Sequence, residues 1–260
     1  MKICQSLNIK DFPCTISLIG AGGKSTTMFS LADEFNKQGK KVLVTTTTHI
    51  SIDQGNLAQK LITESKYNIA VKKLKEYFQE CNVICLTTSI LEEQQKLKGI
   101  PIQWIERVKN ENIVDIIIVE ADGAKGKSFK APAEYEPVLP KHNDIIVAIM
   151  GTDAMYKPII DQYVHRPERI LALLNGEPEN QETILSKENI IRVYFHKSGL
   201  LKDVQKDQKV YILLNKVNKT REMDALQLAN QMAQKSDFGN LKILIGNVQN
   251  SLHPITHIID

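Results

Sequence analysis

Residues 15–38 constrain this chain more than any other stretch. TISLI is a short run of β-branched and apolar residues, Gly20-Ala21-Gly22-Gly23 interrupts it, and the residues from Lys24 to Gln38 continue at helical period. A strand that turns through glycines straight into a helix is the first half of a βαβ unit, and its helix must cross a sheet face to reach the next parallel strand. The rest of the chain repeats the alternation. Strands are predicted at 15–19, 42–46, 83–87, 116–120, 145–149, 210–214 and 243–245, and helices at 24–38, 57–64, 91–97, 166–174 and 220–234.

The glycine turn also carries chemistry. Glycines let a backbone fold so that its N–H groups face an anion, and the helix behind adds the positive end of its dipole. Gly20, Ala21, Gly22, Gly23, Lys24, Ser25 and Thr26 therefore form a candidate phosphate cradle, with Lys24 reaching the β- and γ-phosphates and the Ser25 hydroxyl ligating Mg²⁺. Leu18 occupies the first glycine position of the full GxxxxGKS/T pattern, so the loop is a shortened one, similar to that of the Mur ligases. The expected fold class is thus α/β, a three-layer P-loop NTPase-like fold with a mostly parallel sheet. It is read as a single domain over 1–260, with a small helical elaboration within 174–207.

A magnesium-bound phosphate needs a carboxylate at a neighbouring strand end. DIIIVEADGAKGK supplies Glu120, continuing the apolar run, and Asp122 two residues on, on the same side of an extended chain. One would hold magnesium's water and the other orient a nucleophile; the sequence does not divide the roles. Segment 121–140, rich in proline and charge, reads as a functional loop. Two further strand ends face the same rim. VLVTTTTHI offers Thr47, Thr48 and His49 beside the phosphate, although threonine is also simply a good strand residue. VYILLNKVN resembles the NKxD base-reading motif of GTPases at Asn215, Lys216 and Asn218, but Asn218 has one acceptor oxygen where aspartate has two, which leaves ATP or GTP open.

Charge narrows the partners. Against 33 Lys and Arg stand 30 Asp and Glu, a net +3, too little for a polyanion track, so no nucleic-acid partner is expected. No apolar run approaches the roughly 18 residues of a membrane span, and MKICQSLNIKDF lacks a leader's apolar core, so a cytoplasmic protein without a membrane partner is expected. The four cysteines read as reduced thiols. Cys81 and Cys85 have a spacing that suits one strand face and a metal, yet CNVICL reads more simply as a buried strand. Trp104 falls at helical spacing with Ile100 and Val108 and is expected to pack.

GAGGKST, VTTTTHI, the long EADGAKGKSFKAPAEYEPVLP segment, GTDAMYKPI and VHRPE, in that order, resemble the YqeC family from about residue 15 to 246. Its members are described as accessory proteins of selenium-dependent molybdenum hydroxylases, so the resemblance implies nucleotide binding and a maturation role near the molybdenum cofactor, with the hydroxylase or its cofactor carrier as partner. Tyr135 stands where the family pattern has histidine, and Asn218 where it has aspartate. Within this frame Lys125 and Lys130 are candidates for binding a phosphate, and Asp153, His165 and Arg166 for a second patch meeting substrate. Three functions remain open at this point: a slow NTPase acting as a maturation factor, a small-molecule ligase or kinase, and a non-catalytic nucleotide-binding module.

Overall fold

Nearly uninterrupted apolar runs form strands that are covered on both faces, and here they build a sheet of nine. The computed structural model describes residues 1–174 and 183–260. The first half of the chain contains α1 (Ile3–Ser6), β1 (Cys14–Gly20), α2 (Lys24–Asn36), β2 (Val42–Thr46), β3 (His49–Ser51), α3 (Ile52–Gly55), β4 (Lys60–Thr63), α4 (Tyr67–Tyr77), β5 (Val83–Thr87), β6 (Ser89–Leu91), β7 (Lys96–Lys98), α5 (Ile102–Asn110) and β8 (Ile116–Glu120). The second half adds β9 (Phe129–Lys130), β10 (Ile145–Gly151), β11 (Val164–His165), α6 (Pro167–Leu173), α7 (Lys187–Phe195), β12 (Lys209–Asn215), α8 (Glu222–Lys235), β13 (Leu241–Gly246) and β14 (Ile255–Ile259).

The large sheet runs β14-β13-β12-β10-β1-β8-β2-β5-β4, parallel throughout except for β14, which pairs antiparallel with β13. Strand alternation sorts the core into two faces. Ile116 and Ile118 of β8 pack with Ile16, Leu18, Met28, Leu31 and Phe35 on the side of α2, while Ile117 and Val119 pack with Leu74, Trp104 and Val108 of α4 and α5 on the other. Helices α6, α7 and α8 extend that second layer over β10, β12 and β13 through Ile170, Val193, Leu228 and their neighbours. Helices on both faces of a mostly parallel sheet make the three-layer α/β architecture that the alternation predicts.

Two predicted helices are absent. Residues 57–64 instead contain β4, which pairs with β5 from Lys60 to Thr63 at the sheet edge. Residues 91–97 hold a 3₁₀ turn, with Gln95 at φ 50°, between the antiparallel strands β6 and β7. With β3 these form a small sheet rising from the carboxyl ends of β2 and β5, where Gly99 lies so close to Thr46 O that a Cβ would meet it at 2.1 Å. Of the predicted elaboration within 174–207, residues 175–182 lie outside the described residues, and α7 falls in the remainder. Trp104 is buried and meets Tyr67 edge-on at 5.4 Å between centroids, a packing role. Cys85 sits in β5, where burial pushes its thiol up to about 12. Among the described residues no helix is long and apolar enough to cross a membrane.

Candidate functional site

β1 lies between β10 and β8 at the centre of the sheet, so the glycine turn emerges where neighbouring strand ends converge. The turn is tight because two glycines permit close approach: Gly22, at φ 84°, lies where a Cβ would stand 2.1 Å from Gly151 N, and Gly23, at φ 124°, faces Asn215 Nδ2. The three leading amides are used inside the protein. Gly20 N donates to Asp122 Oδ2 at 2.9 Å, Ala21 N to Ile149 O at 2.9 Å and Gly22 N to Lys127 O at 2.9 Å. The amides of Gly23, Lys24, Ser25 and Thr26, at the start of α2, have no partner among the described residues. The unpartnered amides therefore begin three residues later than the glycine pattern predicts, because Gly20 to Gly22 stitch the turn to β10 and the 121–140 loop.

The expected carboxylates meet this turn, and their partners differ. Ser25 Oγ donates to Glu120 Oε2 at 2.7 Å. Lys24 Nζ donates to Gly20 O at 2.7 Å and lies 3.2 Å from Asp122 Oδ1 and 3.8 Å from Glu120 Oε1. Burial alone would lower the Lys24 ammonium, but Asp122 and Glu120 outweigh it and hold the pKa above its ordinary value. Burial raises Glu120, with Lys24 and the Ser25 hydroxyl opposing it. Asp122 Oδ1 is buried and, among the described residues, takes no hydrogen bond; the Lys24 ammonium faces it at 3.2 Å.

Lys130 is not where a phosphate contact would require it. Its side chain is fully buried and its three donors are all used, on Asp122 Oδ2 (3.1 Å), Gly123 O (2.6 Å) and Glu136 Oε2 (2.6 Å). Arg166 is similarly engaged: held at φ 64° before α6, it makes a forked pair with Glu136, Nη1 to Oε2 at 2.6 Å and Nη2 to Oε1 at 3.2 Å. Glu136, which the sequence reading did not single out, is the hub of this network. It also accepts from Ala133 N, and Gly123 N approaches it at 3.4 Å. Burial would raise its carboxyl, but Arg166 and Lys130 bring it down to about 2. His165 is nearly buried, and desolvation together with Arg166, Lys130 and Lys125 lowers it to about 4, so the ring is neutral at pH 7. Lys125 is exposed at φ 46°.

The threonines and the NKxD-like segment are also bound into the frame. Thr47 Oγ1 donates to Val138 O at 3.0 Å, pinning the return of the long loop, and Thr48 Oγ1 lies 3.1 Å from Thr46 Oγ1. His49 is exposed on the small sheet opposite Lys98, and partial desolvation of its ring together with Lys96 and Lys98 lowers its pKa. Asn215 is buried and braces the turn: Nδ2 donates to Gly22 O at 2.8 Å while Oδ1 accepts from Val248 N at 3.0 Å. Lys216, at φ 61°, donates to Ser128 Oγ (2.7 Å) and Asp153 Oδ2 (3.0 Å), so Asp153 belongs to this contact and not to a patch with His165. Asn218 is exposed, and its single acceptor oxygen takes Thr220 Oγ1 and Arg221 N in the turn that starts α8. Among the described residues no group of three His, Cys, Asp or Glu side chains lies together to hold a metal, whereas Ser25 Oγ and Glu120 offer hard oxygens at one point.

A family model described as YqeC protein matches residues 16–168. A protein of Escherichia coli K12 named YqeC is 26% identical over 242 residues, covering 93% of this chain and 90% of that protein. Among solved structures, the chain is similar to the signal recognition particle 54 kDa protein of Aeropyrum pernix K1 in complex with GDP (TM-score 0.42, 15% identity, 96% of this chain and 45% of that one). It is also similar to FtsY of Mycoplasma mycoides (0.41, 14%, 98% and 67%) and to chloroplast FtsY of Physcomitrella patens (0.39, 10%, 92% and 60%). The chain spans less than half the length of the first of these structures.

Proposed function

The chain belongs to the YqeC family, whose model covers more than half of it, and on that premise we propose that it is a Mg-nucleotide-binding maturation factor, a slow NTP hydrolase serving a selenium-dependent molybdenum hydroxylase or its cofactor carrier. The observation that carries the nucleotide reading is the convergence of Lys24, Ser25, Glu120 and the four unpartnered amides from Gly23 to Thr26 at the central strand ends. The amides and Lys24 receive phosphate oxygens, since a helix N-terminus and an ammonium both favour anions. Ser25 and Glu120 hold the magnesium, which needs only one or two protein oxygens when it also takes phosphates and waters. When bound, the ion neutralises charge on the departing phosphate.

The geometry favours dividing the carboxylates, with Glu120 on the magnesium side through Ser25 and Asp122 governing Lys24 and Gly20 N. Loop 121–140, fastened to the same two residues, carries the state of the phosphate site to the partner. Asn215 and Lys216 shape the floor on which the nucleoside lies, and the engaged Asn218 leaves adenine and guanine weakly distinguished. A ligase or kinase is the second reading, favoured by the turn of only three residues between Gly20 and Lys24; it predicts near silence until an acceptor is added, where the first reading predicts slow hydrolysis alone. The nucleotide assignment is tested by calorimetry with Mg-ATP and Mg-GTP on the parent and on Lys24→Ala. Loss of measurable binding in a variant with a parent-like melting transition is expected, and unchanged affinity refutes the phosphate-loop assignment.

A further inference from the structure

Asp122 is claimed by two ammonium groups, and they hold it differently. Lys130 Nζ donates to Oδ2 at 3.1 Å, beside Gly20 N at 2.9 Å, and both Lys130 and Asp122 are shut away from solvent. Lys24 Nζ faces Oδ1 at 3.2 Å, an oxygen without a hydrogen bond of its own. Lys130 has nowhere else to go, because Gly123 O and Glu136 Oε2 fix its remaining donors. Lys24 is the exchangeable partner: it leads α2 directly from the glycine turn, beside the unpartnered amides, and its other contacts are Gly20 O at 2.7 Å and the more distant Glu120 Oε1 at 3.8 Å. A phosphate that captures Lys24 takes a counter-ion from a buried carboxylate, and such a carboxylate left alone is strongly unfavourable.

We infer that Lys130 is a positioning residue of the phosphate site: by remaining on Asp122 it lets Lys24 leave that carboxylate for an anion. The inference rests on the phosphate-loop reading. It makes Lys130 essential to nucleotide affinity although it touches no ligand. Glu136 acts in the opposite direction, since it draws the Lys130 ammonium away from Asp122.

The test is a mutant cycle read by calorimetry with Mg-ATP and Mg-GTP, using the full chain and whichever nucleotide the parent binds more tightly. Lys130→Met is expected to weaken binding at least tenfold, because Lys24 then becomes the sole counter-ion of Asp122. In the Asp122→Asn background the same substitution should change affinity less than threefold, since no buried charge remains to hold Lys24. A penalty of equal size in both backgrounds would mean that Lys130 acts only through net charge or fold, and would overturn the inference, as would parent-like binding by Lys130→Met. Should Lys130→Met lack a cooperative melting transition, Glu136→Gln carries the same cycle: it should tighten binding in the parent and lose that effect with Asp122→Asn, and tightening of equal size in both overturns the inference. Binding that survives Lys24→Ala would instead sink the phosphate-loop reading itself.

Discussion

Replacing Glu136 by glutamine removes the negative charge that joins the long loop to Arg166 while keeping the size and shape of the side chain. Glu136 is almost wholly buried and accepts three hydrogen bonds from Lys130 and Arg166, at 2.6, 2.6 and 3.2 Å. Those two cations hold its carboxyl at about 2 against an ordinary 4.5, although burial pushes the other way. A difference of roughly 2.5 in pKa, at about 1.4 kcal/mol for each, corresponds to about 3 kcal/mol of stability from the ionised form. The sign follows from the depressed value. The contribution is fully present above pH 4.5 and is lost as pH falls towards about 2. By pH 3 only about 1 kcal/mol of it remains. Urea denaturation of the parent and Glu136→Gln, repeated from pH 7 to pH 3, should show the parent more stable at neutral pH. The difference should narrow by about 2 kcal/mol between pH 5 and pH 3. A difference that stays constant over that range would show that Glu136 is not the anionic centre of the network.

Glu120→Gln should bind Mg-nucleotide comparably to the parent and Asp122→Asn at least as tightly, yet both should lose phosphate release, because charge organisation at the transition state is lost while the phosphate contacts persist; release unaffected by either removes them from the mechanism. ATP and GTP should bind the parent within about tenfold of each other, and Asn218→Asp should favour GTP in competition titrations; a parent that already prefers GTP by orders of magnitude counts against this. Asn215→Ala strands Gly22 O and Val248 N in the interior and should lower stability by about 2–3 kcal/mol in thermal or urea denaturation, with weaker nucleotide binding; a melting temperature equal to the parent's would show that the brace is idle.

The sheet was most legible where strands are buried on both faces. Val42 to Thr46, Val83 to Thr87 and Ile116 to Glu120 appear as predicted to the residue, because each short apolar run starts directly after a polar residue, Lys41, Asn82 or Asp115, that marks its boundary. The failures lie at the edge and in the hairpin. In LAQKLITE the strand is only four residues long, too short for its two-residue period to show, although Leu61 and Ile62 pack into cores on opposite faces. In LEEQQKL the acidic and amide residues favour a helix locally, and pairing with β7 overrides that preference. At the site, Lys24, Ser25, Glu120 and Asp122 were readable because strand ends of a parallel sheet share one rim. The hub was not. Glu136 lies between Tyr135 and Pro137 in a stretch that looks solvated, and its partner Arg166 is 30 residues away, so only the folded loop reveals a buried carboxylate. Lys130 was misread for the same reason, since a lysine in a Pro/Gly-rich segment is normally exposed.

Asn215 comes from a strand far along the chain, beyond the stretch from 16 to 168 that the family model recognises. Its side chain ties the carbonyl of Gly22 to the amide of Val248, and the strand that carries it shields the open side of β10 through seven paired residues. The segment that bears both GAGGKST and EADGAK is therefore not a portable cassette. Cut after residue 168, it would keep both of those motifs and lose the side chain that clamps its glycine turn at Gly22 O. Grafts and chimaeras built from this chain have to carry its carboxyl-terminal strands as part of the site.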